Sequence, residues 1–67
     1  MSIARVTEII SSSKKSFEDA IEKVIDRAAK TLKNVEGAWV KQQKVIVKNG
    51  KISEYRVDLK VTFILID

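Results

Sequence analysis

Residues 51–67, KISEYRVDLKVTFILID, decide how this chain folds. Tyr55, Val57, Leu59, Val61, Phe63 and Leu65 fall on one side of an extended backbone. Arg56, Asp58, Lys60 and Thr62 fall on the other, before Ile64 and Ile66 close the end. Alternation of period two marks a strand with one buried face. So long an apolar row needs a large partner, and the rest of the chain supplies one helix. The opposite face must then meet solvent, a ligand or another subunit, and function is to be sought there.

Upstream of this strand, Asn49-Gly50 separates it from a second extended run, residues 35–48. Asn and Gly tolerate the positive φ angles that both central positions of a two-residue hairpin turn require. A hairpin without bulges sets Lys48 against Lys51, Val40 against Leu59 and Ala38 against Val61. On the polar face it sets Gly37 against Thr62, Trp39 against Lys60, Lys41 against Asp58 and Gln43 against Arg56. The opposite charges of Lys41 and Asp58 favour that register. Lys44 opposite Tyr55 fits less well, although a lysine stem can lie along a ring.

The helix is predicted from about Lys14 to Leu32. Phe17, Ala20, Ile21, Val24, Ile25, Ala28, Ala29 and Leu32 recur at steps of three and four, giving one apolar stripe. Asp19–Lys23 and Asp26–Lys30 are favourable i,i+4 pairs, worth ~0.2–0.5 kcal/mol each. Ser13 or Ser16 is the expected N-cap, and Ser16 with Asp19 makes a short-armed capping box. Lys14 and Lys15 sit at the end where the helix macrodipole disfavours cations. Residues 2–10, SIARVTEII, read as a first strand, and Ser11, Ser12 and Ser13 as the break after it. The expected order is β-α-β-β: an α+β fold in which a three-stranded antiparallel sheet wraps one helix, as a single domain over residues 1–67. The expected core is Phe17, Ile21, Val24, Ile25, Ala28 and Leu32 against Val40, Val57, Leu59, Val61 and Phe63.

A chain of 67 residues buries only ~60% of its unfolded surface and is marginal alone. Disulfides, metals and oligomerisation are the usual remedies. There is no Cys and no His, which removes disulfides, thiolate sites and the main zinc and iron ligand. Self-association is left. No apolar run reaches membrane-spanning length, and no charged-then-apolar leader opens the sequence. The lack of Cys is compatible with a cytoplasmic protein.

Four kinds of chemistry can be weighed against their plainer readings. The serines beside Lys14 could be imagined as an activated nucleophile, but a turn and a cap explain them more simply. Glu18, Asp19, Glu22 and Asp26 are oxygen donors of the type calcium takes, yet helix spacing spreads them round a solvated surface. A metal shared between subunits is left open. Lys41, Lys44, Lys48, Lys51, Arg56 and Lys60 make the hairpin basic, with Trp39 as a stacking platform for a single-stranded nucleic acid. Asp58 and Glu54 interrupt that patch, and the net charge is only +4. The most suggestive group is Trp39 with Gln43, Arg56 and Lys60 on one sheet face. The core beneath does not explain this tryptophan; a stacked ligand, a cation or a neighbouring subunit does.

The serine-rich turn with SFEDAIEKVIDRAAKTLKNV, and the final segment EYRVDLKVTFILID, resemble the dodecin family over nearly the whole chain. The resemblance implies a small strand–helix–strand–strand subunit. It further implies twelve copies in a hollow shell, a homododecamer that stores or sequesters flavins (FMN, riboflavin or FAD). Such assembly answers the stability problem. Flavin-binding members stack the ring on a tryptophan whose match here is Gly37, and contact its polar edge with a glutamine whose match is Arg56. Those two departures imply weakened flavin binding, with Trp39 two residues on and on the same face. They place the chain closer to members without the flavin pair, which hold cations or other small ligands. The expected function is therefore a non-enzymatic shell binding a small ligand at subunit contacts. Gly37, Trp39, Gln43, Arg56 and Lys60 are the expected site. A structural or cation-binding shell, and weak nucleic-acid binding through the hairpin, are the alternatives.

Overall fold

The computed structural model describes residues 3–65, so the readings that fell on Ser2 and Ile66 lie outside the described residues. The order is β1 (Ile3–Ser13), α1 (Phe17–Thr31), β2 (Val35–Lys48) and β3 (Lys51–Leu65). The strands form one antiparallel sheet in the order β1-β3-β2. The strand with the cleanest alternation takes the centre, where both of its edges are paired and its apolar row lies under the helix.

The core is the seam between α1 and β3. Ala20, Val24 and Ala28 on the helix meet Val57, Leu59 and Val61, and all six are buried. Two alanines in the helix row let its backbone come close to the sheet. Phe63 closes one end of the buried row, and Ile9, Phe17, Ile21, Leu32 and Val35 pack round the margin. Complete burial of a Val or Leu side chain stabilises by ~1.5–3 kcal/mol. Val40 is a correction. It pairs with Leu59 but stays 43% exposed, because α1 lies across β1 and β3 and barely reaches β2.

At the N-terminal side, β1 continues through the serines instead of breaking there. Ser11, Ser12 and Ser13 pair with Val57, Arg56 and Tyr55. The helix starts later than predicted, at Phe17, with Ser16 as its cap. The Ser16 hydroxyl accepts from the Asp19 amide at 3.0 Å. The Asp19 carboxylate does not return to Ser16. It accepts from the buried Ser13 hydroxyl at 2.5 Å and holds Lys23 at 3.2 Å. Both partners, Ser13 first, keep the Asp19 carboxyl below its usual range. The capping box is thus half made, and its spare carboxylate pins the helix start to the end of β1. Lys14 and Lys15 precede the cap, so neither opposes the macrodipole from within the first turn.

The hairpin turn is as predicted: Asn49 (φ 54°) and Gly50 (φ 74°) both have positive φ. The register is as predicted at its two ends, with Lys48 opposite Lys51 and Gly37, Ala38, Trp39 and Val40 opposite Thr62, Val61, Lys60 and Leu59. Between them it is shifted by one. Irregularities at Ile46/Val47 and Val40/Gln42 leave Ser53 on β3 and Lys41 on β2 without a partner, and the two cancel. Gln42 therefore faces Asp58, Gln43 faces Val57, Lys44 faces Arg56 and Val45 faces Tyr55. The expected Lys41–Asp58, Gln43–Arg56 and Lys44–Tyr55 pairings are replaced, and the awkward lysine–tyrosine match disappears.

The subunit is long. Its extents are 51 × 19 × 13 Å and its radius of gyration is 13.8 Å, against ~11 Å for a compact chain of this length. At ~1.5 Å per residue the helix covers only ~22 Å of that length. Phe17 at its start meets Tyr55 edge-on, with centroids 5.1 Å apart. From there to the turn the β2–β3 ribbon runs on without a helix beneath it. One helix does not suffice for this sheet.

Candidate functional site

The face of the sheet away from the helix carries Val6, Glu8 and Ile10 of β1. From β3 it carries Arg56, Asp58, Lys60 and Thr62, and from β2 Gly37, Trp39, Gln42 and Lys44, as the pairings require. Trp39 lies there, 49% exposed. Its cross-strand partner Lys60 sets its ammonium 6.0 Å from the ring centroid, at the outer limit of a cation–π contact. Gly37 is next to it along the strand, and its carbonyl accepts a hydrogen bond from the Thr62 hydroxyl at 3.0 Å. A Cβ built on Gly37 would lie 3.7 Å from the Thr62 Oγ1, an ordinary contact. The position has room for a side chain.

Of the five expected site residues, the fold brings Gly37, Trp39 and Lys60 together. Arg56 shares their face but lies four residues from Lys60, about 13 Å at strand spacing. It faces Lys44 and reaches Glu54 at 3.6 Å. Gln43 is corrected: the bulge at Lys41 pairs it with Val57, whose side chain lies under the helix, and gives the outer position to Gln42. Gln43 still borders a cleft of about 190 Å³ beside Arg56, which Ile10, Gln42, Lys44 and Asp58 also line.

Sequence reasoning missed a cluster that spans all three strands. The bulge aims Lys41 at β1, where its ammonium meets the Glu8 carboxylate at 3.5 Å. Glu8 in turn lies beside Asp58. A hydrogen bond between the two carboxyls pushes Asp58 up from its ordinary value, and partial burial adds to this. The same bond holds Glu8 down, with help from Lys41 and Lys60. The second Asp58 oxygen, Oδ1, is buried without a hydrogen-bond partner. No sequence signal could have found this group, since Glu8, Lys41 and Asp58 meet only through strand order and a bulge.

The linkage has a definite sign. A raised pKa in the folded state favours folding below the ordinary Asp range and loses that contribution as pH rises through the folded value. Asp58→Asn, which keeps the shape and supplies a permanent donor to Glu8, is therefore expected to raise the melting temperature at pH 7. The gain should shrink as the pH falls through the acid range and Asp58 takes up its own proton. Melting curves of both proteins across that range check this; an equal shift at every pH would refute the shared hydrogen bond.

The family model for dodecins matches residues 3–65. The chain belongs to the dodecin family. An arginine-to-alanine variant of the Thermus thermophilus dodecin is 28% identical over 100% of both chains, with a TM-score of 0.93. The Streptomyces davaonensis dodecin is 32% identical, covering 98% of this chain and 97% of that one, with a TM-score of 0.90. A calcium dodecin from Mycobacterium tuberculosis, described as having a novel calcium-binding site, is 34% identical over 91% and 87%, with a TM-score of 0.79. A comparison with curated proteins found no match. These likenesses place the chain among small ligand-binding shell proteins. Among the described residues no helix is long and apolar enough to cross a membrane.

Proposed function

We propose that this dodecin is a non-enzymatic, cytoplasmic shell subunit. Twelve copies would hold a small flat ligand of the flavin class, FMN, riboflavin or FAD, at their contacts. The observation that carries the reading is Trp39. A large aromatic is left half exposed on the solvent face, where the helix-side core has no use for it, with Lys60 beside it and an empty position at Gly37. A ring stacked on Trp39 would lie over Gly37 and under the ammonium of Lys60. Gly37 and Arg56, in place of the family's tryptophan and glutamine, make that binding weak. The elongated subunit supports the assembly, since its bare ribbon needs a neighbour.

Titration into riboflavin and FMN, read by flavin fluorescence, tests the site. Wild type is expected to quench weakly at micromolar protein, and Trp39→Ala to abolish the quenching. Gly37→Trp should tighten binding roughly tenfold, as one added aromatic stack gives. Unchanged fluorescence with both wild type and Gly37→Trp would overturn the flavin reading. A cation-holding shell is the second reading. The observation favouring it is the close Glu8–Asp58 pair, with the calcium dodecin from M. tuberculosis as a relative. Among the described residues no three ligating side chains converge within one subunit, so such a site would draw carboxylates from more than one copy.

A further inference from the structure

The ion pair of Lys41 with Glu8 joins the two outer strands across the central one. β1 and β2 both flank β3, so their backbones lie about 10 Å apart. Lys41 sits in a bulge without a partner on β3, and its side chain is free to make the crossing. Glu8, Lys60 and Trp39 stand in one row over the three strands: Glu8 pairs with Lys60, and Lys60 with Trp39. Lys60 therefore has a carboxylate on one side and an indole on the other. Opposite charges directly across a strand pair attract, so Glu8 is the expected partner of Lys60. The structure shows the reverse. Lys60 makes no ion pair among the described residues, and its ammonium lies 6.0 Å from the Trp39 ring centroid. It is close enough to help hold the Glu8 carboxyl down, but Lys41 does more. With Lys41 on one side and the Asp58 carboxyl on the other, Glu8 is already taken.

We infer that Lys41 is a positioning residue for the ring site: by occupying Glu8 it leaves the ammonium of Lys60 to Trp39. An exposed ion pair and an exposed cation–π contact are of similar strength, so Lys60 goes to whichever neighbour is unclaimed. Without Lys41, Glu8 is a bare carboxylate opposite Lys60 and draws the ammonium off the indole. The consequence for binding rests on the ligand reading above. A ring stacked on Trp39 keeps a cation at its edge while Lys41 holds Glu8, and loses that cation when Lys41 is removed. Lys41 thus favours ligands whose ring edge carries carbonyl oxygens or negative charge, although it acts only through Glu8 and Lys60.

Trp39 is the one tryptophan of the chain, so its emission reports on Lys60 without any ligand. Lys60→Gln gives the emission of the uncovered ring, and wild type should differ from it. Lys41→Gln should move the emission towards the Lys60→Gln value, whereas Lys41→Arg, which keeps the bridge, should stay at wild type. Lys41→Gln/Glu8→Gln should return to the wild-type emission. No charge is then left opposite Lys60, and the new amide still donates to Asp58. This double variant loses the same bridge as Lys41→Gln, so it separates positioning from a structural effect. Riboflavin titration should show Lys41→Gln binding about two- to fivefold more weakly than wild type, the size of one exposed ion pair, with the double variant restored. Lys41→Gln emission equal to that of wild type, or a double variant that stays with Lys41→Gln, overturns the assignment. Equal riboflavin affinity of wild type and Lys41→Gln despite a moved emission overturns it too. If the emission follows the expected pattern and riboflavin binds none of these proteins, Lys41 positions Lys60 as stated, and it is the flavin reading that fails.

Discussion

Leu59→Ala is expected to destabilise the subunit by about 2–5 kcal/mol, the range for cutting a buried leucine back to its Cβ. Leu59 is the largest of the fully buried side chains. It lies in the central strand, between Ile9 of β1 and Val40 of β2, with α1 above it. The residues around it are held from both sides by sheet pairing, so the hole cannot collapse easily. A domain of this length has a total stability of roughly 3–10 kcal/mol at ordinary values per residue, so one substitution takes a large share. In so small a domain each kcal/mol moves the melting temperature by about 4–8 °C. A fall of at least ~10 °C at fixed protein concentration is therefore expected. Concentration must be held constant because association stabilises the folded chain. Lys60→Ala, one residue on and facing outward, should stay within ~0.5 kcal/mol of wild type. A Leu59→Ala protein melting within a few degrees of wild type would show that the α1–β3 seam is not the source of stability.

Much of this seam is legible in the sequence, and the reason is geometric. Period-two and period-3.6 patterns report which side of an element is apolar, so Val57, Leu59 and Val61 and the stripe Ala20, Val24, Ala28 can be paired before any coordinates exist. Asn49-Gly50 fixes the turn for an equally local reason. What stays hidden depends on neighbours distant along the chain. Ser11 to Ser13 favour turns by themselves, yet they extend β1 because β3 offers them partners. Val40 has the right residue type and face for the core, but the helix lies over the other two strands. The paired bulges at Lys41 and Ser53 are invisible because they cancel: the register counted from the turn and the register at Trp39 agree with an unbroken ladder. That concealed shift moves Gln43 off the Trp39 face, brings Gln42 and Lys44 onto it, and turns Lys41 towards Glu8. The place of Trp39 on the outer face is legible because strand parity alone puts it on the side that the helix does not need.

Val47→Asp/Ile52→Asp is expected to break the assembly while leaving the subunit's own fold nearly intact. The two residues face each other near the turn, 57% and 54% exposed, on the part of the ribbon that no helix reaches. In an isolated chain they cost little to replace: the carboxylates stay hydrated at these exposed positions, and the lost cross-strand contact and mutual repulsion are worth roughly 0.2–1 kcal/mol. In a shell whose subunits cover these ribbons, the same carboxylates would be buried without partners, at several kcal/mol per charge. Each defect is repeated in every copy, so the penalty multiplies with the number of contacts. The native mass should fall towards that of one 7.6 kDa chain, with the helical circular-dichroism signal largely kept at low temperature. Flavin binding that needs residues from two copies should disappear with it. Retention of the wild-type mass would show that the bare end of the ribbon faces solvent in the assembled state. Cohesion would then have to come from the exposed apolar residues of the outer face, Val6, Ile10 and Trp39.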